Sequence, residues 1–240
     1  MTKRNPSKAP QPTGGFKDRE GTSSLDGLLR TAVSELDLSL TSRQFEQLAT
    51  HFALLLRWNE RINLTSIRNP AEIATRHFEE SLFLAKILPP PDGPVVDIGS
   101  GAGFPGLPLK IAWPEVEVVL LEPSHKKAAF LKEVIRHCGL ERVAVRAERL
   151  GSDAPAGLAG RAALVTMRAV APAPALLQQM SQLLRAKGQM ALFLGERDAA
   201  VVPQLAGMQW SLPLPIPHSL RRVILIGTAL SPAGAQDCDG

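Results

Sequence analysis

Tyrosine is missing from this sequence altogether, and phenylalanine and tryptophan bring the aromatic share to only 5%. A protein that holds single-stranded bases by stacking needs a row of such platforms, and few exist here. Any nucleic acid must be held more through its phosphates and its folded shape. Cysteine occurs only as Cys138 and Cys238, so no disulfide framework is implied, and neither residue sits in a motif for a catalytic thiolate. No apolar run reaches the length needed to span a bilayer, and the opening MTKRNPSKAPQPTGG lacks the apolar segment of a secretory signal. These absences lead us to expect a cytosolic protein.

What is present is an ordinary 45% of hydrophobic residues and a small excess of Lys and Arg, with a formal net charge of +4 and a pI near 9.3. That balance suits a polyanionic partner without demanding one. Residues 1–24 are rich in Pro, Gly, Ser and Lys and have little to bury, so a disordered tail is expected. Its Lys3, Arg4, Lys8, Lys17 and Arg19 either attract RNA weakly or merely solvate the arm. Residues 25–91 read as a helical extension. Leu48, Phe52, Leu55 and Leu56 recur at helical spacing behind a cap at Thr41 or Ser42, and a further helix over 71–88 stops before Pro89, Pro90 and Pro91. On that helix Arg76 and Glu80 are four apart, as are His77 and Ser81, which by spacing alone reads as a solvated salt bridge beside a core histidine.

From residue 92 to 228 strands and helices alternate. Strands are expected over 95–99, 116–122, 142–146, 163–167 and 189–195, with helices over 105–112, 124–138 and 174–185. This is the pattern of an α/β fold with a mostly parallel, doubly wound sheet. The closing segments 208–214 and 221–226 follow each other closely enough to pair as an antiparallel edge, and 229–240 reads as a flexible tail.

The stretch VVDIGSGAGFPG, residues 95–106, carries the chemistry. Gly101, Gly103 and Gly106 alone spell G-x-G-x-x-G, the dinucleotide fingerprint, so a nicotinamide-dependent oxidoreductase is one reading. Asp97, two residues before Gly99, favours another, because D-x-G-x-G-x-G opens the cofactor site of Rossmann-like methyltransferases that use S-adenosylmethionine. A carboxylate at the mouth of the turn serves a sulfonium and an ammonium, whereas a pyrophosphate gains nothing from it.

In such a sheet the ligand lies beyond the carboxyl ends of the strands. The second strand ends at Glu122, where an acid can accept both ribose hydroxyls of a nucleoside. The third ends in Arg146, Ala147 and Glu148, where a backbone N–H and a carboxylate can meet an adenine edge. The fourth ends at Arg168 within TMRAVAPAP, which lacks the Asn or Asp, paired prolines and aromatic that hold an exocyclic amine. A cysteine nucleophile for pyrimidine-carbon methylation is absent as well. A target that needs neither activation remains, and N7 of guanine is such a target. Arg168 then either bonds the cofactor carboxylate, a phosphate or guanine O6, or forms a structural ion pair.

The segments RWNERINLTSI, RHFEES, VVDIGSGAGFPGLPLKI, LLEPSHKKAAFLKEV, RAERL and MRAVAP resemble, in this order, the bacterial ribosomal RNA small subunit methyltransferase G family, also called GidB, over residues 25–226. The resemblance implies a Rossmann-like enzyme that methylates N7 of a guanine in the 530 loop of 16S ribosomal RNA (position 527), with S-adenosylmethionine as donor. It implies that Gly99, Gly101 and Phe104 line the cofactor, that Glu122 faces its ribose, and that Ala147 and Glu148 meet its adenine. Arg168 is the implied catalytic and cofactor-closing residue, and Arg76 with His77 matches the family's Arg-His pair for RNA or active-site support. The implied partner is 16S rRNA or the small ribosomal subunit, with no DNA, membrane or metal, and the protein is expected to be a monomer. Two departures stand out: Leu194 and Gly227 occupy positions where the family usually carries lysine, and Arg197, Arg221 and Arg222 are the candidates to replace those cations. The alternatives are a methyltransferase acting on a small molecule or protein, and a non-catalytic RNA-binding relative.

Overall fold

The computed structural model describes residues 19–34, 36–151, 154–200, 202 and 207–230. Helix α1 (Arg19–Ser34) buries Leu29 and Val33. It begins six residues ahead of the boundary expected at Leu25; the rest of the expected N-terminal tail and the last ten residues lie outside the described residues. Helix α2 (Ser42–Asn59) opens on a capping box at Thr41. The Thr41 hydroxyl accepts from the Gln44 N–H at 3.3 Å and the Gln44 side chain accepts from the Thr41 N–H at 2.8 Å, which satisfies two orphan donors at once.

The third helix is not continuous. Helix α3 (Pro70–Ile73) starts under the Asn69 cap, a π-helical turn spans Ala74–Glu79, and α4 (Glu80–Ile87) then runs on to the prolines. A π turn inserts an extra residue, so every side chain beyond it is rotated relative to the α-helical phase. The pairing of Arg76 with Glu80 that spacing suggests is therefore not formed: Arg76 bridges Glu72 at 2.6 Å and Glu80 turns inward. Likewise the Ser81 hydroxyl donates to the His77 carbonyl at 2.6 Å, leaving the imidazole for other partners.

The sheet is built from β1 (Val95–Ile98), β2 (Val118–Leu121), β3 (Val143–Arg146), β4 (Ala162–Arg168), β5 (Leu184–Gly195), β6 (Met208–Trp210), β7 (Leu214–Pro215) and β8 (Arg222–Ala229). Its order is β3-β2-β1-β4-β5-β8-β6, with β7 also pairing β8. The first five strands are parallel, and β8 is antiparallel to β5, β6 and β7, which is the mixed edge expected from the sequence. Helices α5 (Gly106–Ala112), α6 (His125–Cys138), α7 (Pro174–Ser181) and α8 (Glu196–Ala200) complete the fold. The helix expected over 174–185 ends earlier, because Leu184 already pairs with Ala162 of β4. Gly188 permits the kink that follows: a Cβ there would stand 2.8 Å from the Ala162 carbonyl oxygen.

Side chains alternate across each strand, and the two faces bury different partners. Val95, Val118, Leu120, Leu164, Phe193 and Ile224 share a core with Leu29, Phe52, Phe78, Leu107 and Phe130 of the helices. Val96, Ile98, Val119, Leu121, Val165 and Leu192 face α7 through Leu177 and Met180. The N-terminal helices are thus packed directly onto the face that carries α5 and α6, and they reach the carboxyl ends of the strands.

Candidate active site

A cleft of about 1170 Å³ opens at those carboxyl ends, between the turn after β1, the end of β2, the ends of β4 and β5, and the loop and π turn of the N-terminal helices. Gly99, Gly101 and Gly103 adopt left-handed φ values of 67°, 57° and 90°, which the turn requires and which side chains resist. Gly106 serves close approach instead: a Cβ would meet Leu120 Cδ2 at 2.4 Å and Asp97 Oδ2 at 2.8 Å. Glu122, at the end of β2, locks the turn from outside. Its Oε2 accepts from the Gly101 N–H at 2.9 Å and its Oε1 from the Ser124 N–H at 2.8 Å, with a lone pair still free on each oxygen.

Asp97 is not at the mouth of this turn. It shares a face with Val95, pointing under α5, and is 0% exposed. Its Oδ1 accepts from the Thr166 hydroxyl at 2.7 Å, directly across the β1–β4 register, and its Oδ2 from the Gly106 N–H at 3.3 Å. Burial pushes its carboxyl up to about 6, against the hydrogen bonds that favour the anion. Its chemistry is to staple the glycine turn to the sheet, and strand periodicity is the reason it cannot face a ligand as the motif suggested.

The same face carries Arg168, two residues beyond Thr166. Its guanidinium contacts Glu80 Oε2 at 3.2 Å, donates to the Arg76 carbonyl and reaches His77 Nδ1 at 3.1 Å. Arg222, at the start of β8, meets the same Glu80 oxygen at 2.6 Å. Glu80 is 2% exposed, and burial raises its pKa while the two guanidiniums oppose that rise. Burial likewise lowers Arg168 to about 10, with Glu80 acting against the shift. Of the readings left open by the sequence, Arg168 forms the structural ion pair, and it also lines the cleft.

His77 is held neutral with one tautomer. Arg168 can only donate, so Nδ1 accepts, and Nε2–H donates to the Thr65 hydroxyl at 2.8 Å. Burial, then the charges of Arg168, Arg222 and Arg76, keep its pKa down at about 3. Its ring stacks on Phe104 at 4.7 Å, and the buried His51 stacks on the same phenyl ring at 4.8 Å. His51 donates to the Ala102 carbonyl at 2.9 Å, and burial lowers its pKa to about 4. Phe104, 6% exposed and flanked by both imidazoles, is a wall of the cleft.

Gly99, Gly101, Phe104, Glu122, Glu148, Arg168, Arg76 and His77 all line the one cleft. Ala147 is exposed at the rim beside Glu148 and is not part of the lining. Leu194 lines the cleft, but Gly227 lies five residues along β8 from Arg222, roughly 17 Å at strand rise, on the far side of the sheet from the cleft mouth. A Cβ at Gly227 would meet Met208 Cε and Trp210 Cζ3 at 2.8 Å, so glycine is there for packing. Of the proposed replacement cations, Arg222 lines the cleft, while Arg197 and Arg221 are exposed outside it. Glu80 as the shared counter-ion and Thr65 as the partner of His77 escaped the sequence reading. Strand parity points Arg168 and Arg222 toward the helices, but the π turn that brings Glu80 to them leaves no sequence signal.

Comparison with known proteins agrees with this architecture. The profile of the GidB family, rRNA small subunit methyltransferase G, matches residues 44–206. A protein of Roseiflexus castenholzii named Ribosomal RNA small subunit methyltransferase G is 44% identical over 180 residues, 74% of each chain. One of the same name from Chloroflexus aggregans is 34% identical over 228 residues, 90% of this chain and 94% of the relative. Among solved structures, a SAM-dependent methyltransferase of Aquifex aeolicus superposes with a TM-score of 0.54 at 13% identity, over 68% of this chain and 94% of that one. A ribosomal protein L11 methylase of Lactobacillus delbrueckii gives 0.53 at 16% identity, over 65% and 80%. These two similarities speak to the fold, which is that of S-adenosylmethionine-dependent methyltransferases. By profile and by sequence identity over most of its length, this chain belongs to the rRNA small subunit methyltransferase G (GidB) family.

Proposed function

We propose that this protein transfers the methyl group of S-adenosylmethionine to N7 of a guanine in the 530 loop (position 527) of 16S ribosomal RNA. The observation that carries the reading is a single cleft in which a Cβ-free glycine turn faces a basic wall whose histidine is neutral and fully engaged. At about 1170 Å³ the cleft exceeds the ~300–1,000 Å³ of ordinary small-molecule sites, which leaves room for a nucleoside cofactor and a target base together.

The residues fit that cofactor. Gly99 and Gly101 offer bare backbone, the free lone pairs of Glu122 suit ribose hydroxyls, and Glu148 stands at the rim for the adenine edge. When bound, S-adenosylmethionine supplies a methyl group made electrophilic by its sulfonium. Attack by the guanine N7 lone pair would form the N–CH3 bond as the methyl–sulfur bond breaks, its electron pair leaving on S-adenosylhomocysteine, and would release no proton, so no general base would be required. That agrees with His77, whose two ring nitrogens are both committed and whose pKa is held at about 3. Catalysis then rests on positioning and on the field of the site. Arg168 contributes fixed positive potential and a rigid wall, since Glu80, the Arg76 carbonyl and His77 hold its guanidinium. Arg76, half-exposed at the rim and paired with Glu72, is the residue we assign to an RNA phosphate.

The test is methyl transfer from labelled S-adenosylmethionine to small-subunit RNA and to intact subunits lacking the modification, with the product mapped by cleavage at 7-methylguanine. A single labelled site in the 530 loop is the expected result. Label confined to a protein or small-molecule fraction overturns the substrate, and binding of NAD without binding of S-adenosylhomocysteine overturns the cofactor.

A further inference from the structure

A second, smaller cavity of about 310 Å³ lies beside the cleft, lined by Arg61, Ile62, Asn63, Ser124, Lys126 and Lys127. It shares Lys127 with the cleft and is lined by the same two stretches of chain. Arg61 to Asn63 form one side of it, and the next residues, Leu64 to Ile67, line the cleft. On the other side Ser124 and Lys126 follow Glu122 and Pro123 of the cleft, and Lys127 belongs to both spaces.

Three cations, Arg61, Lys126 and Lys127, meet at this one cavity. Neighbouring Arg57 and Arg76 are paired with Glu133 and Glu72, at 2.8 Å and 2.6 Å. Among the described residues, Arg61, Lys126 and Lys127 have no acidic partner and no side-chain hydrogen bond, and no acid lines the cavity. The wall that presents Arg61 is rigid. The side-chain oxygen of Asn59, 4% exposed, accepts from the N–H groups of Leu64 and Thr65 at 2.9 Å and 3.0 Å. Arg68 braces the same loop, donating to the Asn59 carbonyl at 2.8 Å and to Asn63 Oδ1 at 3.1 Å, and the Asn63 amide N–H donors have no partner among the described residues. Three unpaired cations and a spare amide donor around one preformed cavity make a site for a tetrahedral oxyanion. A polynucleotide whose reactive base enters the cleft must carry its flanking phosphodiesters along the rim.

We infer that this cavity is a phosphate subsite for the RNA strand, in which Arg61, Lys126 and Lys127 hold a backbone phosphate close to the target nucleotide. The inference rests on the RNA reading proposed above. It predicts that the cavity sets RNA affinity and register and leaves the chemistry of the cleft untouched.

The test is the full-length double variant Arg61→Ala/Lys126→Ala, with Lys127 kept because it also lines the cleft. Binding of a 16S rRNA fragment is followed from 50 to 200 mM salt, alongside methyl-transfer kinetics on unmethylated small subunits and calorimetry with S-adenosylhomocysteine. The expected result is a salt slope, the dependence of log K on log salt, shallower by about 1 to 2. A KM raised about tenfold, an unchanged kcat and an unchanged S-adenosylhomocysteine affinity should accompany it. The variant Arg61→Lys/Lys126→Arg, which keeps the charge, should retain most of the slope. A double-alanine variant with the wild-type slope and KM overturns the subsite while the wild type still labels RNA. A slope loss seen with a wild type that transfers no methyl group keeps the subsite and overturns the methylation reading.

Discussion

His51 and His77 clasp Phe104 as neutral imidazoles, and acid is the perturbation that tests this. In an unfolded chain histidine takes up its proton near pH 6.5. In the fold, burial holds His51 at about 4, and burial with the adjoining guanidinium charges holds His77 at about 3. Below pH 6.5 the unfolded state therefore binds more protons than the folded one, so this stability is complete above that pH and is lost as the pH falls. At pH 5.5 each histidine forfeits about 1.4 kcal/mol, the linkage energy one pH unit below its reference pKa. Asp97 works in the opposite direction, because its raised pKa of about 6 lets the folded state take a proton first. That returns about 0.8 kcal/mol at pH 5.5 and leaves a net loss of about 2 kcal/mol from the three groups relative to pH 7.5. The variant His51→Gln keeps an N–H for the Ala102 carbonyl and removes one titration. It should be less stable than wild type by about 1 kcal/mol at pH 7.5 through lost ring contacts. Its further loss on going to pH 5.5 should be only about 0.6 kcal/mol. Urea unfolding of both proteins at the two pH values measures this, and an equal pH difference in the two refutes the neutral, buried His51.

Gly99→Val places a branched side chain at a φ of 67°, 3.3 Å or less from Val170, and should abolish S-adenosylhomocysteine binding in a protein that still folds; retained affinity by calorimetry contradicts the placement of the cofactor. Glu80→Gln leaves Arg168 and Arg222 without their shared counter-charge and should cost about 3 kcal/mol in urea unfolding, so a cost well under 1 kcal/mol shows the pair to be solvated. Gly227→Lys should destabilise the edge of the sheet against Met208 and Trp210 and leave the salt dependence of RNA binding unchanged; a steeper slope refutes its placement away from the cleft. If Arg197 and Arg221 supply rim charge, Arg197→Ala/Arg221→Ala should make the salt slope shallower, and an unchanged slope removes them from the RNA path.

The alternation of strands and helices was legible because each buried strand is a short apolar run closed by a polar or glycine-rich turn. Val95 to Ile98 before Gly99, and Val118 to Leu121 before Glu122, show it plainly. Helix ends were legible where a side chain makes the cap, as Thr41 does for α2 and Ser124 for α6. The junction between α7 and β5 was not. Residues 182–188 have helical propensity, but pairing of Leu184 with Ala162 overrides it through a kink that only Gly188 and the left-handed Lys187, φ 59°, reveal. Local preference lost there to a tertiary contact, as it does wherever sheet pairing competes with a weak helix.

The candidate site shows the same limit more sharply. Motif position brought Gly99, Gly101, Glu122 and Arg168 to one cleft, because strand ends are fixed by the sheet. Direction was harder. Asp97 follows the motif and still faces away from the ligand side, since its parity with Val95 and its register with Thr166 bury it beneath α5. By that same parity Arg168 and Arg222 face the N-terminal helices, and there two cations needed an acid. A regular α-helix through residues 70–87 would present Glu80 alongside Arg76 at the surface, as the i,i+4 spacing suggested. The π turn at Ala74–Glu79 swings Glu80 inward to both arginines and leaves Arg76 to Glu72. It also turns the Arg76 carbonyl toward Arg168 and sets His77 between Thr65 and Arg168, against Phe104. The helical extension is consequently a wall of the cleft in its own right, and its π turn sets where the positive charge of the site is held.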